Sequence, residues 1–144
     1  MITIRSDAPE ARSFWLYPTW GEQAEGSIKR AWHGELARSN RERRADGRVP
    51  VRCHCTVEET WEVSDPATLK ALDPTHLWAD VRPPATVVLL RASALVEPCL
   101  VEPAAGEDDQ PWAALTIEPS VADLIPALTD DAFALHAARV RGAM

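Results

Sequence analysis

The chain has 144 residues, 22 acidic against 15 basic, a formal net charge of -7 and 46% hydrophobic residues. That is the length of a single domain, and at this size a core holds roughly two-thirds of the unfolded surface, so no disulfide or metal staple is required. The composition excludes a disordered or collagen-like chain, and the longest apolar run, Ala85 to Leu90, falls well short of the roughly 20 residues that span a bilayer.

Asp7 and Glu10 sit where a secretory signal would be apolar. Ile2 to Arg5 alternates as a short strand does. Phe14, Trp15, Leu16, Tyr17 and Trp20 then crowd around Pro18 in a segment whose proline limits regular pairing. Thr19 and Glu22 have capping-box spacing, which predicts a helix from about Thr19 to Ala45–Gly47. Ala24, Ile28, Ala31, Trp32, Leu36 and Ser39 form its apolar face, while Lys29, Arg30, Arg41 and Arg44 form its basic face. Trp32 and Trp61, both on apolar faces, are expected in the core.

From Val49 to Val63 the odd positions are apolar and the even ones polar, which predicts a long half-buried strand; Glu59 interrupts the apolar row and marks a bulge or bend. Asp65 and Pro66 read as the N-cap and first residue of a short helix reaching about Leu72. His76 to Val81 is a candidate strand and Ala85 to Leu90 a firm one, with Ala94 to Val101 extended but interrupted at Pro98. An acidic turn over 104–111 and a strand over Trp112 to Glu118 follow. Ser120 and Asp123 suggest a cap for a helix over Val121 to Leu128, and a last helix runs from Asp130 to about Arg141. Strands and helices alternate irregularly and long extended segments adjoin. The expected fold is therefore α+β: a single domain built mainly of antiparallel sheet, with one amphipathic helix in the N-terminal half and helices at the C-terminus.

Three cysteines, two of them separated by one residue, do not make a disulfide framework. They fit reduced thiols in a cytoplasmic protein, or one incorporated in a phage particle. The 23 alanines, 12 prolines and 13 arginines, against two lysines and one asparagine, are types with GC-rich codons, pointing to a bacterial or phage gene. The Cys53-His54-Cys55 triplet contains metal-binding residue types, with His33, His76 or Cys99 as further ligands. However, C-x-C in an alternating strand puts both sulfurs on the buried face and His54 on the other, unlike the C-x2-4-C turns of structural zinc sites. The two cysteines read more simply as small buried hydrophobes, and no metal or other cofactor is expected. No G-x-S-x-G, G-x-G-x-x-G or G-x-x-x-x-G-K motif occurs.

Residues 28–52 hold eight basic and three acidic side chains, leaving a charge of -12 on the rest of the chain. Such a segment could meet phosphate or an acidic protein surface, or pair within the molecule. A net acidic chain without aromatic residues patterned beside its arginines argues against nucleic acid. Tryptophan, tyrosine and arginine are the side chains enriched in interface hot spots. The expectation is thus a non-catalytic protein-interaction subunit or adaptor of a larger bacterial or phage assembly, homo- or hetero-oligomeric and away from membranes. Phe14, Trp15, Tyr17, Trp20, Arg30, Arg41 and Arg44 are its candidate partner-binding residues. Two alternatives stay open: a small enzyme or metal-binding domain using Cys53, His54 and Cys55, and a nucleic-acid-contacting protein using residues 28–52.

Overall fold

The computed structural model describes residues 2–5, 11–17, 25–41, 47–102, 115, 117 and 119–144. Two long strands form its spine. Strand β3, Val49–Val63, pairs antiparallel with β4, Ala85–Val101, from Val49 opposite Val101 to Val63 opposite Ala85. On the far side of β3 lies β2, Ser13–Leu16. The far side of β4 takes β1, Ile2–Arg5, opposite residues 86–89, and β5, Leu124–Pro126, opposite residues 93–95. All the pairings are antiparallel, and the architecture is α+β in one domain.

The β3 alternation is interrupted where Glu59 breaks the apolar row. Val57 lies opposite Leu90 but Glu59 lies opposite Leu89, so Glu58 is an inserted residue and the strand is bulged. The bulge reverses which parity of β3 faces each side. Beyond it, Trp61 and Val63 join Ala85, Val87 and Leu89 against helices α2, Pro66–Ala71, and α3, Asp130–Arg141. Leu69 and Leu72 come from the α2 region and Phe133, Ala137 and Val140 from α3. Before the bulge, Cys53, Cys55 and Val57 join Val88, Leu90, Ala92 and Phe14 on the opposite side. Alternation along β4 divides its neighbours between the two clusters, which is why residues 85–90 are all buried.

The caps follow the sequence. The Asp65 carboxylate accepts from the backbone N–H of Ala67 and Thr68 at 3.1 and 3.0 Å, with Pro66 at the first helical position. Thr129 Oγ1 accepts from Ala132 N at 3.3 Å to start α3. Gly47 has a φ of +76°, the left-handed backbone that the turn into β3 requires.

Other segments depart from expectation. Helix α1 covers only His33–Arg41, preceded by two 3-10 turns, Glu25–Ser27 and Arg30–Trp32. Between them Ile28 forms a β-bridge with Trp78, with Lys29 N donating to Leu77 O at 2.8 Å and Ala79 N to Ser27 O at 3.0 Å. Backbone groups committed to another segment cannot also close α-helical turns, and Gly26 weakens any helix there. Consequently Trp32, expected in the core, is 48% exposed, whereas Trp61 does pack against the core. The candidate strand over His76 to Val81 reduces to that single bridge. The expected helix over Val121 to Leu128 is instead a turn followed by β5. Pro126 lacks the N–H a helix interior needs but is tolerated on an edge strand, and Ala127 N bonds Ala92 O at 2.9 Å. One C-terminal helix is thus present among the described residues, not several. The acidic turn over 104–111 and the predicted helix start at Thr19 lie outside the described residues, as does the strand over Trp112 to Glu118 apart from Leu115 and Ile117.

Candidate functional site

The aromatic segment is more regular than Pro18 suggests. Ser13 to Leu16 pair with Thr56 to Cys53 as an edge strand, so successive side chains go to opposite faces. Phe14 packs with Cys55, Val88 and Leu90, whereas Trp15 and Tyr17 pack with Val49, Val51 and Val101. The Trp15 ring meets His54, its cross-strand neighbour, edge-on at 4.9 Å between centroids. Phe14 thus goes to one face and Trp15 and Tyr17 to the other, so these rings do not have to share a single face. Phe14, Trp15 and Tyr17 are half-buried. Trp20 and Arg44 lie outside the described residues, as does the side chain of Arg41, the last residue of α1.

The basic segment is partly consumed by ion pairs within the chain. Lys29 pairs with Asp73 at 2.9 Å, Arg38 with Glu35, and Arg48 with Glu102 at 3.3 Å. Arg30, by contrast, is exposed and enters no ion pair among the described residues. Of the four candidate residues with described side chains, Phe14, Trp15 and Tyr17 are half-buried on or beside β2 and Arg30 is exposed.

A second group assembles around Arg30. Lys29, on the neighbouring position, donates to the backbone oxygens of Asp73 and His76, the latter at 2.8 Å, and stands 3.5 Å from His76 Nδ1. The side chain of His76 is 3% exposed. Burial, and then the charge of Lys29, hold its pKa below the usual imidazole value. The hydrogen bond from Lys29 in turn holds the Asp73 carboxyl below its ordinary range. This polar knot, with the Ile28–Trp78 bridge, fastens the turn carrying Arg30 and Trp32 to the segment carrying Leu77 and Trp78. Leu77 and Trp78 are each 37% exposed. Two indoles and a leucine are thus partly exposed on two adjoining segments joined by backbone hydrogen bonds. Trp78 sits in a stretch without periodicity, and Trp32 lies on a 3-10 turn where the sequence pattern predicts a continuous helix.

The cysteine pair lies within the sheet. Cys53 and Cys55 are both thiols, their sulfurs 4.0 Å apart, with Cys55 buried and Cys53 half-buried. His54 points to the other side, toward Trp15, and burial lowers its pKa. Among the described residues no three His, Cys, Asp or Glu side chains gather as a metal cluster, and no helix is long and apolar enough to cross a membrane. The comparisons add a family and no function: neither a curated protein nor a solved structure matches the chain. Residues 4–139 match the family model described as a domain of unknown function, DUF1802, and the chain belongs to that family.

Proposed function

We propose that the chain is a non-catalytic, protein-binding subunit of a larger bacterial or phage assembly, docking through Trp32, Leu77 and Trp78 beside Arg30 onto an apolar protein surface bordered by acidic side chains. The observation that carries this reading is the exposure of two tryptophans on backbone held in place by the Lys29–Asp73–His76 knot. Tryptophan rings desolvate a large area at small conformational cost, and they are enriched with arginine at the energetic centres of interfaces. The pre-fixed backbone lowers the ordering penalty of association. Arg30, without an internal partner among the described residues, supplies the charge that selects an acidic rim.

The proposed interface lies at the bridge between residues 28 and 78 and not on the aromatic strand, and it includes Arg30. The test is a tagged full-length chain expressed in its source cells, with recovered proteins quantified beside Trp32→Ala, Trp78→Ala and Arg30→Glu variants. A stoichiometric protein partner that is lost with all three variants, each folded as the wild type, supports the reading. Equal recovery with every variant, or a partner retained until the chain is treated with nuclease, overturns it.

A further inference from the structure

We propose that Cys53 and Cys55 form a thiol–disulfide exchange pair for low-molecular-weight disulfides such as glutathione disulfide, with Cys53 as the attacking thiolate and Cys55 as the resolving thiol. The two residues occupy alternate positions of β3, so their side chains share a face, and the sulfurs lie 4.0 Å apart. Their environments differ in the way the two roles require. Cys53 is half-buried and reachable, whereas Cys55 is fully enclosed at 0% exposure by Phe14, Val88 and Leu90. An incoming disulfide can meet only the first sulfur.

The pair also shares a proton. A hydrogen bond from the Cys55 thiol stabilises the Cys53 thiolate and brings its pKa down to about 7, while the same bond, with burial, pushes the Cys55 thiol up. The reactive form is therefore a thiolate outside and a thiol inside. Cys53 Sγ attacks one sulfur of the small disulfide, breaking its S–S bond and releasing one thiolate, which takes a proton from water. Cys55 then attacks Cys53 Sγ, breaking the mixed disulfide, and its proton passes to the second thiolate as it leaves, giving a free small thiol. Two protein thiols are oxidised to one disulfide, and one small disulfide is reduced to two thiols.

The sheet around the pair permits the approach. On the β4 side Cys53 and Cys55 lie opposite Ala94 and Ala92, whose methyl groups crowd them little, and on the β2 side opposite Leu16 and Phe14. The segment 53–57 is bounded by the register breaks at Val51/Cys53 and Val57/Glu59, so it can pinch without shifting the rest of the ladder. Two strand positions span about 6.6 Å between α-carbons, close to the upper limit for a disulfide. The resulting bond is strained and readily reduced, as suits exchange rather than cross-linking.

The test incubates the reduced full chain, natively folded, with glutathione disulfide, blocks residual thiols, and locates modifications by intact mass and peptide mapping. The expected wild-type product has lost two hydrogens as a Cys53–Cys55 disulfide, retains no glutathione, keeps Cys99 as a free thiol and is restored by excess glutathione. Cys55→Ala is expected to stop with one glutathione on Cys53, and Cys53→Ala to gain none at Cys55. Alkylation of Cys53 in the wild type is expected to rise with pH around about 7. If the alanine variants misfold, the wild-type product and its alkylation profile decide. A lasting glutathione adduct on wild-type Cys53, modification of Cys99 before Cys53, or no loss of thiols at all would overturn the proposal.

Discussion

The guanidinium carbon of Arg91 lies 4.0 Å from the centre of the Phe133 ring. Its Nε donates to Glu58 at 3.0 Å and its Nη1 to Asp130 at 2.6 Å. One side chain of β4 thus covers the rim of the core and joins the bulged residue of β3 to the first turn of α3. Glu59, the other glutamate of the bulge, receives Arg141 from the far end of α3, with Nε at 2.6 Å. The bulge is tied to both ends of the helix, to Asp130 through Arg91 and to Arg141 directly, and the carboxylate partners raise the pKa of each arginine.

Arg91→Ala is expected to lower the melting temperature more than Arg91→Met. Methionine keeps an unbranched apolar cover over Phe133 but loses the guanidinium charge with its two ion pairs and cation–π attraction, whereas alanine loses the cover as well. Adding salt should shrink the difference between wild type and Arg91→Met, since exposed pairs are screened. Circular dichroism melts of the three proteins would measure this, and equal melting of Met and Ala variants would show that the ring contact contributes nothing.

What the sequence made legible was the part governed by local rules. The alternation from Val49 to Val63 gave the spine strand with its bounds, Glu59 flagged the bulge, and Asp65-Pro66 and Asp130 located two helix starts to within a residue. The failures share a cause: a distant segment claimed the backbone. Residues 27–29 bond to residues 77–79, and 124–126 pair with the edge of β4 beyond β1, so the helical spacing of the first stretch and the cap signal of the second were overruled by pairing. Aromatic density pointed to residues 14–20, but burial depends on which strand lies opposite, and that is a long-range property. The C-x-C geometry was legible because it needs only the period of two.

The core makes a simple demand. Leu72 is fully enclosed between α2 and the sheet, so Leu72→Ala should cost about 2–5 kcal/mol. Val96, 63% exposed, should tolerate alanine within about 0.5 kcal/mol. Urea denaturation of the two variants checks both, and similar midpoints would contradict the described packing.

His76 gives a pH dependence with a defined sign. Burial first, then Lys29, lowers its pKa in the folded protein, with Asp73 and a backbone hydrogen bond to Trp78 opposing. The unfolded chain therefore takes up the imidazole proton more readily than the folded one. The contribution of this site to stability is complete above the ordinary imidazole pKa of about 6.5 and is lost as pH falls below it through the folded value. Urea midpoints measured from about pH 8 down to 5 should fall, and His76→Gln should flatten that part of the curve. A curve of unchanged slope in the variant would assign the effect elsewhere.

The last prediction separates the two aromatic groups. Trp15 is half-buried against Val49, Val51 and Val101 and meets His54 edge-on, so its removal opens a void at the β2 edge. Burial of one such ring stabilises by on the order of 1.5–3 kcal/mol, and Trp15→Ala should lose about that much. Trp32 is 48% exposed, on a turn fixed by backbone bonds that its side chain does not make. Trp32→Ala should therefore change stability by no more than about 0.5 kcal/mol. If an acidic protein partner covers Trp32, the same substitution should weaken association by at least about tenfold, or 1.4 kcal/mol. Denaturation curves and binding isotherms of the two variants together decide the matter. A stability loss at Trp32 as large as at Trp15 would make it a packing residue, and a loss of binding confined to Trp15→Ala at equal stability would return the interface to the aromatic strand.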